Sequence, residues 1–140
     1  ARKRNVDPDR LIFAENLPLS KHLARCSLGD LALDTFNCNG HTTTSDALWA
    51  GLPVLTKIGE SFSARVSASL LTSLGIPELI TYDEREYEDK ALYFANNPNE
   101  LKRLKSKLAK SRATSPLYNS ELFTRNLETK FKELLIQSNK

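Results

Sequence analysis

Short apolar runs alternate with stretches of helical period over residues 1–82, and no other feature constrains the fold as much. "RLIFA" at residues 10–14 follows the turn-prone "DPD" and reads as a strand. After Pro18, "SKHLARCS" carries helical spacing as far as Gly29, with Ser20 as a candidate cap. "LALDT" at residues 31–35 is a second strand, "FNCNG" a loop, and "HTTTSDALWAG" a helix with Ala47, Leu48 and Ala50 on its apolar side and Gly51 at its end. "PVLTK" at residues 53–57 is a third strand, "FSARVSASLLTSLG" a helix stopped at Gly75, and "ELIT" a short fourth strand.

Strands joined by helices of this length form a parallel sheet with right-handed crossovers. The expectation is an α/β fold built on a partial Rossmann-like parallel sheet. Three or four strands fall short of the about five or six of a complete doubly wound domain, so the missing strands are expected upstream of Ala1. The absence of any methionine and the polar opening "ARKRNVDPDR" fit a piece of a longer protein. From Asp83 onward the period is helical throughout, with breaks at Pro98 and at Ser115-Pro116, and three helices are expected. The chain thus divides into βα units at 1–82 and C-terminal helices at 83–140 that pack on the same lobe.

With 40% hydrophobic and 26% charged residues the chain can bury a modest core. No apolar run approaches the roughly 18 residues of a membrane span, and the first residues lack the apolar core of a signal peptide. Cys26 and Cys38 form no CxxC pair and suggest neither a disulfide framework nor a zinc site. A cytoplasmic location with no membrane partner is expected. The basic run "LKRLKSKLAKSR" carries Leu101, Leu104 and Leu108 at helical spacing, which makes its lysines a solvated helix face rather than a nucleic-acid surface.

The segment "NGHTTTSD" poses the chemical question, because it sets small hydroxyls where a helix begins, after the carboxyl end of a parallel strand. A helix start presents unsatisfied N–H groups and a partial positive charge, and open α/β sheets bind ligands at that end of their strands. Gly40 lets the backbone approach closely, and the hydroxyls of Thr42, Thr43 and Thr44 can add donors, so the segment can cradle a pyrophosphate. His41 can donate to a phosphate oxygen or a leaving group. Asp46, one turn on, either accepts from sugar hydroxyls or only complements the helix dipole. The same hydroxyls also favour a capped helix with nothing bound. His22 and Arg25 share a helix face at i, i+3 and can reach the same crevice, or are ordinary surface residues. Asp34 and Glu60 could be read as paired acid/base carboxylates only if the fold sets them at a working separation, which sequence does not fix, and Ser45 and Ser61 lack a nucleophile-elbow context.

"LDTFNCNGHTTTSDALWAGLPVLT", continuing to "GESFSARVSASLLTSLG", closely resembles the C-terminal catalytic lobe of the O-linked N-acetylglucosamine transferase family, including its SPINDLY-like bacterial members. Similarity extends more weakly from "RLIFAENLP" through "SPLYN" to the final helix. The resemblance implies the C-terminal lobe of a two-lobed GT-B glycosyltransferase, preceded by an N-terminal lobe and tetratricopeptide repeats that this chain lacks. It implies inverting, metal-independent transfer from a UDP-sugar donor, with no further cofactor, to Ser or Thr hydroxyls of a protein acceptor selected by the absent regions.

Carried over by position, the resemblance has His41, Thr42 and Thr43 meeting the donor diphosphate, with His41 and Thr42 assisting its departure. It has Asp46 meeting the ribose, and His22 and Arg25 matching the nucleotide-side residues of the preceding helix. One position departs: animal members have a lysine where this chain has Leu19, and Lys21 lies on a different turn. The plant SPINDLY branch, which uses GDP-fucose, has glycine at the place of His41, so UDP-N-acetylglucosamine is the favoured donor. A non-catalytic interaction module with a vestigial nucleotide site is the reading from another class. The chain alone is expected to be inactive.

Overall fold

The computed structural model describes residues 1–138; the last two residues of the expected C-terminal helical segment lie outside them. Six α-helices surround a sheet of three parallel strands, in the order α1 Leu19–Cys26, β1 Ala32–Leu33, α2 Thr42–Trp49, β2 Val54–Lys57, α3 Val66–Ser73, β3 Ile80–Thr81, α4 Glu84–Asn96, α5 Pro98–Thr114 and α6 Ser120–Ser138. The strands pair in sequence order, with Ala32 beside Val54, Leu33 beside Leu55, Thr56 beside Ile80 and Lys57 beside Thr81. Each parallel pair needs a helical crossover, which α2 and α3 supply.

Residues 10–14, expected as a strand, pair with nothing. Pro8–Arg10 is a turn of 3-10 helix, and the extended stretch after it leaves Ile12 88% and Phe13 91% exposed. A strand exists only through a ladder to a neighbour, and no described segment offers this one. The free edge of β1 tells the same story, with Leu33 60% exposed.

β2 is the centre of the core. Val54, Leu55 and Thr56 are buried, and α2, α3 and α4 all pack on this strand. Leu48 of α2, Leu71 of α3, Leu79 before β3, and Leu104 and Leu108 of α5 are completely enclosed. α2 ends at Trp49 with Ala50 as its C-terminal cap, followed by Gly51, whose φ of 86° suits the left-handed position that only glycine adopts cheaply. α4 begins on Asp83, whose carboxylate accepts from the Glu86 amide at 2.8 Å.

The basic residues of α5 tie it to the rest of the chain. Lys105 donates to the Gly29 carbonyl and to Asp30, Lys107 to Glu78, and Arg112 to the Trp49 carbonyl. α6 follows the 3-10 turn at Pro116–Tyr118 and buries none of its described residues. No helix among the described residues is long and apolar enough to cross a membrane.

Burial pushes Glu78 up, but the hydrogen bond and charge of Lys107, with a backbone amide and Arg103, outweigh it and hold the carboxyl below its ordinary value. A lowered folded value adds stability above the unfolded pKa, about 4.3, which is lost as pH falls through the folded one. Urea midpoints should drop from pH 5 toward pH 3, and less steeply in Glu78→Gln. Leu104→Ala should cost roughly 2–5 kcal/mol in the same assay, against within about 0.5 kcal/mol for Leu127→Ala on the 41% exposed face of α6.

Candidate functional site

The loop between β1 and α2 is held on both sides of one residue, Gly40, at its N–H and at its carbonyl. Asp34, at the carboxyl end of β1, accepts through Oδ1 from the amides of Thr35 at 2.9 Å and Gly40 at 2.7 Å. Its Oδ2 accepts from the Thr56 hydroxyl of β2 at 2.7 Å. On the other side, Ser67 of α3 donates to the Gly40 carbonyl at 3.0 Å. Ser67 has a single proton, so the Thr44 hydroxyl, 3.0 Å away, donates to Ser67.

Thr44 is therefore not a ligand donor. It is buried and faces inward with Ala47 and Leu48, whereas Thr42 and Thr43 stand exposed. Gly40 is required by the same packing, since a Cβ there would sit 2.5 Å from Thr44 Oγ1 and 2.7 Å from Thr43 Oγ1. Asn39 closes the loop, its amide donating to the Ser63 carbonyl at 2.9 Å and its side chain to the Thr35 carbonyl at 2.8 Å, while Oδ1 is buried without a protein partner.

His41 occupies the cap position of α2, yet its side chain does not cap the helix, and no acidic residue lies in the first turn. Its Nε2 is 3.4 Å from the Ser63 carbonyl and its ring stands edge-on to Phe62, 6.1 Å between centroids. The first amides of α2 are thus left to solvent or a ligand, unlike those of the capped α4. Asp46 is half-buried one turn further on. Behind it, Tyr118 donates to the Ser45 carbonyl at 3.3 Å, and its hydroxyl pKa is raised by burial and by the Asp46 charge, against the opposing effects of the Ser45 side chain and of Arg112.

His22 and Arg25 lie together on α1, which packs against α2. Arg25 donates through Nη1 to the Glu15 carbonyl at 2.7 Å, and its Nη2 is 3.2 Å from His22 Nδ1. Arginine only donates, so Nδ1 accepts and the ring proton sits on Nε2, 3.6 Å from Cys26 Sγ. Leu19 opens α1 in an exposed position, and Lys21 is exposed two residues later. Two groups are thus assembled, His22 with Arg25 and His41 with Thr42, Thr43 and Asp46, on neighbouring helices with no hydrogen bond between them among the described residues.

The Asp34 carboxylate spends its hydrogen bonds on the Thr35 and Gly40 amides and the Thr56 hydroxyl, and no hydrogen bond joins it to Glu60 among the described residues. Sequence reasoning missed Asp34 and Ser67 as the clamps of Gly40. An aspartate closing a strand just before a turn was the available signal.

The sequence model of glycosyl transferase family 41 matches residues 1–127. The chain belongs to that family. It is 39% identical over 132 residues to a probable UDP-N-acetylglucosamine–peptide N-acetylglucosaminyltransferase of Arabidopsis thaliana, with 94% of this chain and 14% of the relative covered. A UDP-N-acetylglucosamine–peptide N-acetylglucosaminyltransferase of Caenorhabditis elegans is 35% identical over 126 residues, covering 90% and 11%. A probable transferase of the SPINDLY type from Petunia hybrida is 35% identical over 130 residues, covering 92% and 14%.

Among solved structures, a mutant O-GlcNAc transferase of Thermobaculum terrenum superposes with a TM-score of 0.87 at 32% identity, over 94% of this chain and 25% of that one. The family 41 chain therefore shares the fold of that transferase, and the resemblance carried by the "NGHTTTSD" region and the α/β reading both hold. It spans 11–14% of the length of these curated relatives. Gly40→Ala should destabilise it by about 1–3 kcal/mol through overpacking against the fixed Thr44, measured by urea unfolding.

Proposed function

We propose that this chain is the donor-nucleotide part of the C-terminal lobe of a GT-B protein O-glycosyltransferase using UDP-N-acetylglucosamine. The observation that carries the reading is the uncapped start of α2. Its exposed His41, Thr42 and Thr43 follow the carboxyl end of a parallel strand, in a family whose named relatives are UDP-N-acetylglucosamine–peptide transferases.

In this reading the first amides of α2, the hydroxyls of Thr42 and Thr43, and His41 hold the diphosphate. Asp46 accepts from the ribose hydroxyls, and His22 with Arg25 lies on the nucleotide side. An acceptor Ser or Thr oxygen forms a bond to the sugar C1 as the bond from C1 to the diphosphate oxygen breaks, with inversion. The acceptor proton goes to a base outside this chain. Negative charge grows on the departing UDP, and donors already aimed at it stabilise that state more than the ground state. No metal is needed in this scheme. The N-terminal lobe, the repeats and acceptor selection belong to regions beyond these residues.

The test is nucleotide titration of the full-length protein with UDP, GDP and CMP, together with sugar transfer by His41→Ala. UDP should bind most tightly, and His41→Ala should weaken it by about 1.5–3 kcal/mol, the range for a hydrogen bond to a charged group, with transfer reduced in step. Tighter GDP binding would move the assignment to a GDP-sugar donor. Transfer indifferent to His41→Ala and Asp46→Ala would leave an interaction module with a vestigial site.

A further inference from the structure

Every hydrogen-bonding group of Asp34 is engaged. Its amide donates to the Leu55 carbonyl at 3.0 Å within the ladder, and its own carbonyl accepts from the Tyr87 hydroxyl at 3.0 Å. Its carboxylate collects the Thr35 amide, the Gly40 amide and the Thr56 hydroxyl. Thr56 is itself fully buried, and its carbonyl accepts from the equally buried Thr81 hydroxyl at 2.9 Å. A chain of hydroxyls thus runs across the ends of β3 and β2 to Asp34 and stops at Gly40, the residue before His41. Ser67 fixes the other end of that glycine.

We infer that Asp34 is a positioning residue for the donor diphosphate: it sets where the first turn of α2 stands relative to the strand ends, without touching the ligand. The inference rests on the nucleotide reading given above. Its physical content is that amides can stabilise an anion only where they are already aimed, and a shift of about 1 Å at such a site costs up to about a hundredfold. The carboxylate suits the task because three donors converge on it and it only accepts. Asparagine can keep the Gly40 and Thr35 bonds through its carbonyl oxygen and donate its NH2 to a rotated Thr56 hydroxyl. Alanine keeps none of them.

The inference differs from two simpler roles. A general base would lose turnover in Asp34→Asn as badly as in Asp34→Ala. A purely structural residue would lower the amount of active enzyme, hence the apparent kcat, and leave KM for the donor unchanged.

The experiment compares Asp34→Ala, Asp34→Asn, Thr56→Val and His41→Ala in the full-length protein. Donor KM and kcat are read for UDP-N-acetylglucosamine, together with hydrogen exchange of the peptide containing Gly40. Asp34→Ala should raise donor KM roughly ten- to a hundredfold and speed exchange at Gly40. Asp34→Asn should recover most of that loss, and Thr56→Val should raise KM by a few-fold in the same direction. Unchanged donor KM in Asp34→Ala alongside a raised KM in His41→Ala overturns the positioning role and leaves the nucleotide reading standing. Unchanged KM in both overturns both. Loss of kcat in Asp34→Asn at unchanged KM overturns the positioning role in favour of a base.

Discussion

Parallel pairing on both sides of β2 is the constraint on which the rest depends. Parallel neighbours cannot be joined by tight turns, so the chain must cross over, and each crossover helix starts just beyond the carboxyl end of a strand. α2 and α3 lie where they do because β1, β2 and β3 run the same way. The alignment of strand ends with helix starts is therefore a by-product of the sheet, available for binding before any ligand-specific residue is chosen. The identities of Gly40, His41, Thr42 and Thr43 act on that prepared geometry.

The strand ends carry an unusual amount of buried polarity, and the chain satisfies most of it. Thr56, Thr81 and Ser67 are each fully enclosed, and each hydroxyl donates to an acceptor: the Asp34 carboxylate, the Thr56 carbonyl and the Gly40 carbonyl in turn. An unpaired buried hydroxyl costs about 1–3 kcal/mol, whereas a paired one is nearly neutral to modestly favourable. Valine would fill the threonine positions without that risk. Threonine and serine there hold a loop in register, which apolar side chains cannot do. The buried Asn39 Oδ1 is the exception, and it sits beside the clamped glycine.

Much of this was legible in the sequence, and the misses have physical causes. Leu101, Leu104 and Leu108 announced the buried face of α5 because helical period needs only local spacing, and all three are buried. Residues 10–14 misled because β-branched and apolar content signals a strand, while the ladder that makes one is a property of other segments. Thr44 was grouped with Thr42 and Thr43 by composition. Its place at i of the i, i+3, i+4 set with Ala47 and Leu48 already put it on the core side, and that geometry prevailed. The role of Asp34 stayed hidden because its partner Thr56 is 22 residues away and only the sheet brings the two together, while the bond to Gly40 depends on how the intervening loop folds back.

The exposure of His41, Thr42 and Thr43 bounds what this surface can do by itself. A helix start facing water contributes only about 0.3–1 kcal/mol to holding an anion, and salt screens even that. The same amides in a site closed to water act in a lower dielectric, where a charge 4 Å away interacts several times more strongly. A diphosphate cradle built on α2 would therefore need a second wall to exclude solvent, since His41, Thr42 and Thr43 are exposed in this chain. Precision of placement and exclusion of water are then supplied separately. In the proposed donor site the buried hydroxyl chain ending at Asp34 and Ser67 would set the first, and a wall beyond the described residues the second.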